Sequence, residues 1–324
     1  MQTRALVEGA IFAGITTVLG IIYYYSSYLG IIGYLWPVPT VIVGYRNGVK
    51  ASILSAMTAG LAVALFTQPL AGLGMLIGFG LPGIIMGYMI SKKADPYITI
   101  LACAAILAVT TVFQFMVSMV ISGINLNDFA AQYDTMVNSQ LPVIIDMYKK
   151  FGLSESDIKK MSDALVQTFQ LMKLIIPTLV IASGMVASFV CYKLSRLVLN
   201  RIGYSVANTE RFSRWRLQAP YSYILIGAAI IATGASYVKL PYFNTAAINI
   251  SMVLMYVLVF IGLSVIIYFS GIYGDRYNIP KPLRVFLVIL IFVYFSQLLP
   301  LVGILDMVLD LRKLGNEKRI GGGR

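Results

Sequence analysis

The sequence predicts an all-α fold, a polytopic transmembrane helical bundle of about eight or nine spans, and three observations carry that prediction. Nine long apolar stretches follow one another with hardly a charge inside any of them. The 324 residues are 59% hydrophobic and only 12% charged, too few polar groups to coat a globular surface of that size. The stretches are also continuous, without the period-two alternation of barrel strands. Backbone groups left unpaired in lipid cost several kcal/mol each, so helices or closed barrels are the spanning forms, and a spanning helix needs about 20 apolar residues.

The stretches are 5–24, 28–45, 50–67, 71–91, 97–122, 172–198, 220–238, 245–270 and 285–309. The first is flanked by Arg4 and Glu8 and runs through Tyr23, Tyr24 and Tyr25 without a small-residue cleavage site, so it reads as a retained span and not a signal peptide. In the fourth, Gly78, Gly80 and Gly83 of GFGLPG fit G-x-G-x-x-G, but no strand precedes them and no ribose-binding acid follows in place, so a dinucleotide site is set aside. Glycines there let a neighbouring helix approach and Pro82 bends or breaks the helix. A kinked, closely packed span is one reading; a break that lines a substrate path is the other.

Residues 123–171 form the one sizeable hydrophilic region, expected as an outer amphipathic helical hairpin. Ser154 followed by Asp157 resembles a capping box with Asp in place of Glu. Ile158, Met161, Leu165, Phe169 and Met172 then recur at helical spacing. Such a hairpin lies on the membrane, caps the bundle or serves as a substrate lid. The organisation that follows is a five-span bundle at 1–122, the hairpin at 123–171, C-terminal spans with basic inner loops at 172–311, and a basic tail at 312–324.

Net charge is +12, and its placement reads as topology, not as a nucleic-acid surface. Cations gather in RNGVK, SKKADPY, RFSRWR and GDRYNIPKPLR, on one side of the bilayer if the N-terminus is inside. That places the chain in a membrane, multi-pass, with a cytoplasmic N-terminus. The tail breaks the rule, because after nine crossings LRKLGNEKRIGGGR emerges outside. Either 285–309 doubles back around Leu299-Pro300-Leu301 or another stretch does not cross.

Several chemistries fall away. There is no histidine, which excludes Ser-His-Asp catalysis and imidazole metal sites. Cys103 and Cys191 sit in separate stretches without CxxC spacing and read as packing residues. No Walker A motif occurs, so ATP-driven transport would need a separate ATPase. No cofactor or metal is indicated, and a non-enzymatic protein is expected.

The candidate residues are few. Asp306 and Asp310 share a helical face, with Arg312 and Lys313 just beyond; they read as a paired helix end or as a cation or proton site. Arg211, Arg214, Trp215 and Arg216 read as an inner anchor to anionic lipid or a partner patch. Glu8, four residues after Arg4, reads as half of a snorkelling pair. Gln114, Ser118, Asn249, Ser251, Ser296 and Gln297 would hydrogen-bond between helices or line a cavity. Tyr23, Tyr24, Tyr25, Tyr28, Tyr34 and Trp36 read as an interfacial belt or as the mouth of a site for a flat organic solute. Gly9, Ala10, Ala13 and Gly14 form a small-residue strip on the first span, where another helix could pack closely.

That strip, with WPVPTVIVGYRNGVKASIL after it and LPGIIMGYMISKK later, resembles the substrate-binding S component of energy-coupling factor transporters. The resemblance implies that Gly9, Ala10, Ala13 and Gly14 dock onto a shared transmembrane coupling subunit that rides on two ATPases; their plain reading is packing within the chain. Across nearly the whole length, the S-component-like first half, the RFSRWRL segment and the closing LVGILDMVLDLRK resemble the YybS-like family of bacterial membrane proteins, whose function is not established. Vitamin S components have about six spans and no such hairpin, and no ligand motif carries over. The expected function is a solute-binding or transport component for an unknown small molecule. The competing class is a non-transporting scaffold or regulatory partner.

Overall fold

The computed structural model describes residues 3–26, 30–215, 227–228, 230–231, 234 and 243–313. The chain is all-α; no strand occurs among the described residues. It divides into two units, Met1–Met172 with Leu179–Thr209, and Lys173–Thr178 with Glu210–Arg324.

In the first unit, α1 (Thr3–Tyr25) is followed by a 3-10 turn (Gly30–Tyr34), then α2 (Pro37–Asn47), α3 (Val49–Phe66) and α4 (Pro69–Met75). A π-helical turn (Leu76–Gly80) joins α4 to α5 (Leu81–Ser91). Next come α6 (Pro96–Ser122), α7 (Leu126–Lys150), α8 (Glu155–Leu174) and α9 (Ile176–Arg201). The chain chemistry sets these ends. Pro37, Pro69 and Pro96 each stand in a first turn, where a missing N–H costs nothing. Asp95 caps α6 by accepting from the Tyr97 and Ile98 amides at 2.8 and 3.1 Å. Gly48, at φ +83°, makes the turn between α2 and α3.

Among the described residues, seven helices are long and apolar enough to cross a membrane: Ala5–Tyr25, Val49–Phe66, Pro69–Ser91, Pro96–Ser122, Ile176–Arg201, Thr245–Arg276 and Lys281–Leu309. Two of the nine expected stretches are not among them. Stretch 220–238 lies largely outside the described residues. Stretch 28–45 is broken into the 3-10 turn and the 11-residue α2. Pro37 and Pro39 lack the N–H groups that would continue a helix through Trp36, and 11 residues rise only about 17 Å.

The 123–171 region folds as the two helices α7 and α8. Asn125 and Asp128 build a capping box on α7. On α8 the Ser154 hydroxyl accepts from the Asp157 amide at 3.2 Å and donates to its carboxylate at 2.6 Å. The Tyr133 hydroxyl donates to the Phe169 carbonyl at 3.0 Å, tying the pair together.

Packing in the first unit relies on small residues, as expected where lipid gives helices no hydrophobic reason to associate. α2 crosses α5 at Gly44 and Gly87, and a Cβ on Gly87 would lie 2.8 Å from the Val41 carbonyl. α1 lies on α3, where the Ser55 hydroxyl donates to the Gly9 carbonyl at 3.0 Å. Trp36 is fully buried among Ala13, Ala59, Val63 and Met75, which corrects its reading as an interfacial aromatic.

In the second unit, α10 (Phe243–Arg276) leads to α11 (Lys281–Phe295), a 3-10 turn (Ser296–Leu298) and α12 (Leu299–Leu309). The ninth stretch is therefore interrupted just before Leu299-Pro300. α12 lies directly on α10: a side chain on Gly262 would run into the Leu299 carbonyl, and one on Gly303 would meet the Leu258 carbonyl at 2.6 Å.

The expected small-residue strip of α1 splits between two faces. Gly9 and Ala13 are buried toward the bundle, whereas Ala10 and Gly14 are exposed. Ala13→Leu should lower stability by about 1–3 kcal/mol through overpacking against Trp36, and Ala10→Leu should stay within about 0.5 kcal/mol of wild type. Thermal unfolding of both variants in lipid nanodiscs checks this.

Candidate functional site

Two places in the molecule concentrate polar chemistry inside apolar surroundings, one in each unit. In the first unit it is a small cavity beside the π-helical turn. α4, the turn and α5 form one 23-residue span, and the turn is where its regular hydrogen bonding is interrupted. Pro82 follows directly and brings no N–H. The Gln114 side chain of α6 lies across the turn, filling the space a side chain on Gly74 or Gly78 would occupy. Such π turns are rare and concentrate at functional sites.

The cavity opens between this turn and α9, with Tyr34, Phe79, Met86, Leu107, Ser188 and Cys191 among its walls. Its volume is about 10 Å³, scarcely room for one water. No charged side chain lines it. The Ser188 hydroxyl, on a residue only 1% exposed, has no hydrogen-bond partner, and neither do Trp36 Nε1 and Thr40 Oγ1 near by on the 3-10/α2 segment. Buried polar groups are nearly always paired, so three unpaired ones in this part of the bundle mark it out. Cys191 is 4.0 Å from the Ser195 hydroxyl and Cys103 Sγ lies 3.7 Å from the Pro82 carbonyl; both thiols are free and buried.

The second site is a knot around Arg312. Its guanidinium and the Asp306 carboxylate are both fully shielded from solvent and pair at 2.7 Å. Arg312 Nε donates to both Asp306 oxygens at 3.2 Å. Nη1 donates to the Ser213 carbonyl and the Ser264 hydroxyl, each at 2.7 Å, and Nη2 to the Trp215 carbonyl at 2.9 Å. Ser264 in turn donates to the Phe212 carbonyl at 2.6 Å. One cation thus gathers the end of α12, the middle of α10 and the Phe212–Trp215 segment, with the Tyr268 ring 6.0 Å from it. The planar fork of arginine suits such a many-partner role, which a lysine point charge could not fill.

The predicted residues are distributed as follows. Asp306 is engaged by Arg312 through both oxygens, so its charge is neutralised where a bound cation would need it. Asp310 closes α12 in the left-handed conformation at φ 49°, its amide donating to the Asp306 carbonyl. Arg211 and Arg214 are exposed, Trp215 is half-buried with Nε1 donating to the Glu210 carbonyl, and Arg216 lies outside the described residues. Glu8 accepts from Arg46 at 2.8 Å and from Asn47 at 2.9 Å, which ties α1 to α2; the Arg4 side chain is outside the described residues. Asn249 bridges the α8/α9 junction: its amide donates to the Leu174 carbonyl at 2.6 Å, and its oxygen accepts from the Thr178 amide and hydroxyl. Tyr28 lies outside the described residues, and the Tyr23 ring packs edge-on against Phe79. The Asp306–Arg312 ion pair agrees with the paired-helix-end reading, in which Arg312 stands just beyond the two acids; Ser264 carries no signal in the sequence that marks it as a site residue.

With this geometry in hand, similarity to known proteins becomes informative. A family model described as "Predicted membrane protein (DUF2232)" matches residues 14–308. The chain belongs to this family of predicted membrane proteins. A relative, the "Uncharacterized protein YybS" of Bacillus subtilis (strain 168), is 26% identical over 317 residues, 96% of this chain and 98% of that protein. No solved structure matches. For this DUF2232 protein, membership and the seven long apolar helices agree on a multi-pass membrane protein.

The Arg312 knot holds the chain just before Lys313 within one arginine side chain's reach of the Ser213–Trp215 backbone. Single cysteines at Arg214→Cys and Lys313→Cys should therefore label from the same side of the membrane with an impermeant maleimide. Labelling from opposite sides would contradict the knot.

Proposed function

We propose that this chain is a solute-binding or transport component of the bacterial cell membrane, with a cytoplasmic N-terminus, no ATPase of its own and no enzymatic step. The observation that carries the reading is the juxtaposition of two interrupted helices, the 3-10/α2 segment and the α4–α5 π turn, around a small apolar cavity, with the unpartnered Ser188 hydroxyl on a residue of its wall. Irregular backbone at membrane depth is tolerated where it is enclosed in protein or lines a cavity, and broken helices meet at the binding sites of many transporters. The lining is apolar and carries no charged side chain, which suits a neutral, apolar solute, and the helices around it would have to part to admit one.

Energy would come from a partner. Ala10 and Gly14 lie on the exposed face of α1 among Leu6, Val7, Ile11 and Ile15. A small-residue notch on a lipid-facing helix is the kind of surface that an S component, which the first half of the chain resembles, presents to its coupling subunit. Arg211 and Arg214, exposed beside the Arg312 knot, supply a basic patch for anionic lipid at the membrane surface.

The small size of the cavity favours the competing reading, a scaffold that binds no solute. Thermal unfolding of the purified protein against vitamins, nucleobases and other neutral ring compounds separates the two. A solute at about 100 times its Kd adds about 2.7 kcal/mol of stability. The transport reading expects at least one such compound to raise Tm by several degrees, and Ala187→Phe, which fills the cavity, to abolish the shift. A full panel without a shift, in a protein that retains no small molecule on purification, would favour the scaffold.

A further inference from the structure

α7 carries more apolar surface than its neighbours cover. At about 100° per residue its side chains fall into three sectors. One sector, with Tyr133, Val137, Leu141, Ile144 and Tyr148, is half-buried or buried, and Tyr133 reaches across to α8. A second is polar, with Asp128, Asn138 and Asp146. Between them runs a third sector, apolar and open: Phe129 is 36% exposed, Met136 57%, Val143 62% and Met147 49%.

The position of α7 says what covers that stripe. α6 starts at Pro96, just after the cations Lys92 and Lys93, and about 20 residues carry a helix across the hydrocarbon core. The far boundary therefore falls near Phe115 and Met116. There the Phe115 ring meets the Phe129 ring edge-on, with centroids 5.1 Å apart. Val112, Phe113 and Met116, on α6 up to that boundary, are exposed as well. The open stripe of α7 thus begins at the depth where the lipid-facing surface of α6 ends, and it continues that surface.

We propose that α7 is an interfacial helix that lies in the bilayer surface at the membrane face where α6 ends, with Phe129, Met136, Val143 and Met147 seated among lipid acyl chains. The arrangement of an apolar sector beside a polar one is that of helices lying in the membrane plane. The hairpin is then held by the bundle on one side and by lipid on the other, and is not suspended in water.

The test uses the full-length protein in lipid nanodiscs, with Cys103 and Cys191 left in place because both are buried. Single cysteines at Met136→Cys, Val143→Cys and Asn138→Cys carry an NBD fluorophore. The proposal expects headgroup-proximal nitroxide lipids to quench the probes at 136 and 143 at least twofold more than the probe at 138, and aqueous iodide to show the reverse order. Equal iodide quenching at all three positions, without lipid quenching, would overturn it. So would a disulfide-linked dimer through position 136, which would name a second copy of the chain as the occupant. As a check independent of labelling, Val143→Glu should raise proteolytic cleavage within 123–171 at least fivefold in nanodiscs, and Asn138→Glu should leave it unchanged. Equal cleavage of the two variants would count against the lipid contact.

Discussion

Hydrocarbon offers no hydrogen bonds, so every polar group carried into the bilayer must find its partner inside the protein, and that constraint shapes both units. At the α8/α9 junction Pro177 interrupts the backbone ladder, and Asn249 from α10 supplies donor and acceptor to the freed groups. At Arg312 an ion pair stands in a dry setting where an unpaired charge would be prohibitive. It is tolerated because Asp306, a hydroxyl and two backbone carbonyls engage all three guanidinium nitrogens. The same hydrogen bonds satisfy the carbonyls of the irregular Phe212–Trp215 segment, which no helix could serve. Stability and chain path are thus decided together at one residue.

The second organising feature is close approach. Gly44 with Gly87, and Gly262 with Gly303, bring helix backbones near enough that dispersion contacts replace the missing hydrophobic drive. Between the regular helices, irregularity among the described residues includes the 3-10 segment before Pro37, the π turn at Leu76–Gly80, the α8/α9 junction, the Phe212–Arg214 turn and the turn at Ser296–Leu298. In the first unit two of them meet at the cavity. The concentration of broken backbone and unpartnered hydroxyls there, against well-satisfied surroundings, is why that region supports a binding role better than the helix faces do.

Much of this was legible in the sequence. Long charge-free runs gave the class and most of the spans, and Ser154 with Asp157 gave the start of α8. The remainder was hidden for identifiable reasons. Hydropathy measures how apolar a stretch is and not whether its helix is continuous, so 28–45 looked like a span although Pro37 and Pro39 divide it. Small residues at four-residue spacing look alike on every face; Gly9 and Ala13 turn inward because α3 presents Ser55 and Ala59 to them, a fact of packing and not of pattern. The pairing of Asp306 with Arg312 was one of the two sequence readings, but the other partners of Arg312 lie between about 48 and 99 residues away in Ser264, Trp215 and Ser213, beyond the reach of any helical periodicity. The sequence left the side of the tail in conflict with its charge, and the knot joins the start of that tail to the Ser213–Trp215 backbone, a contact no hydropathy pattern signals.

The claim that polar groups in the bilayer are paired within the chain is tested most directly by a double-mutant cycle on Asp306 and Arg312 in lipid nanodiscs. Asp306→Asn and Arg312→Gln should each cost about 3–5 kcal/mol, since each leaves an uncompensated buried charge. The double variant should cost less than the sum by at least about 2 kcal/mol, because it leaves none. Additive losses, or single variants within about 0.5 kcal/mol of wild type, would show that the two side chains do not form a buried pair and would contradict the account.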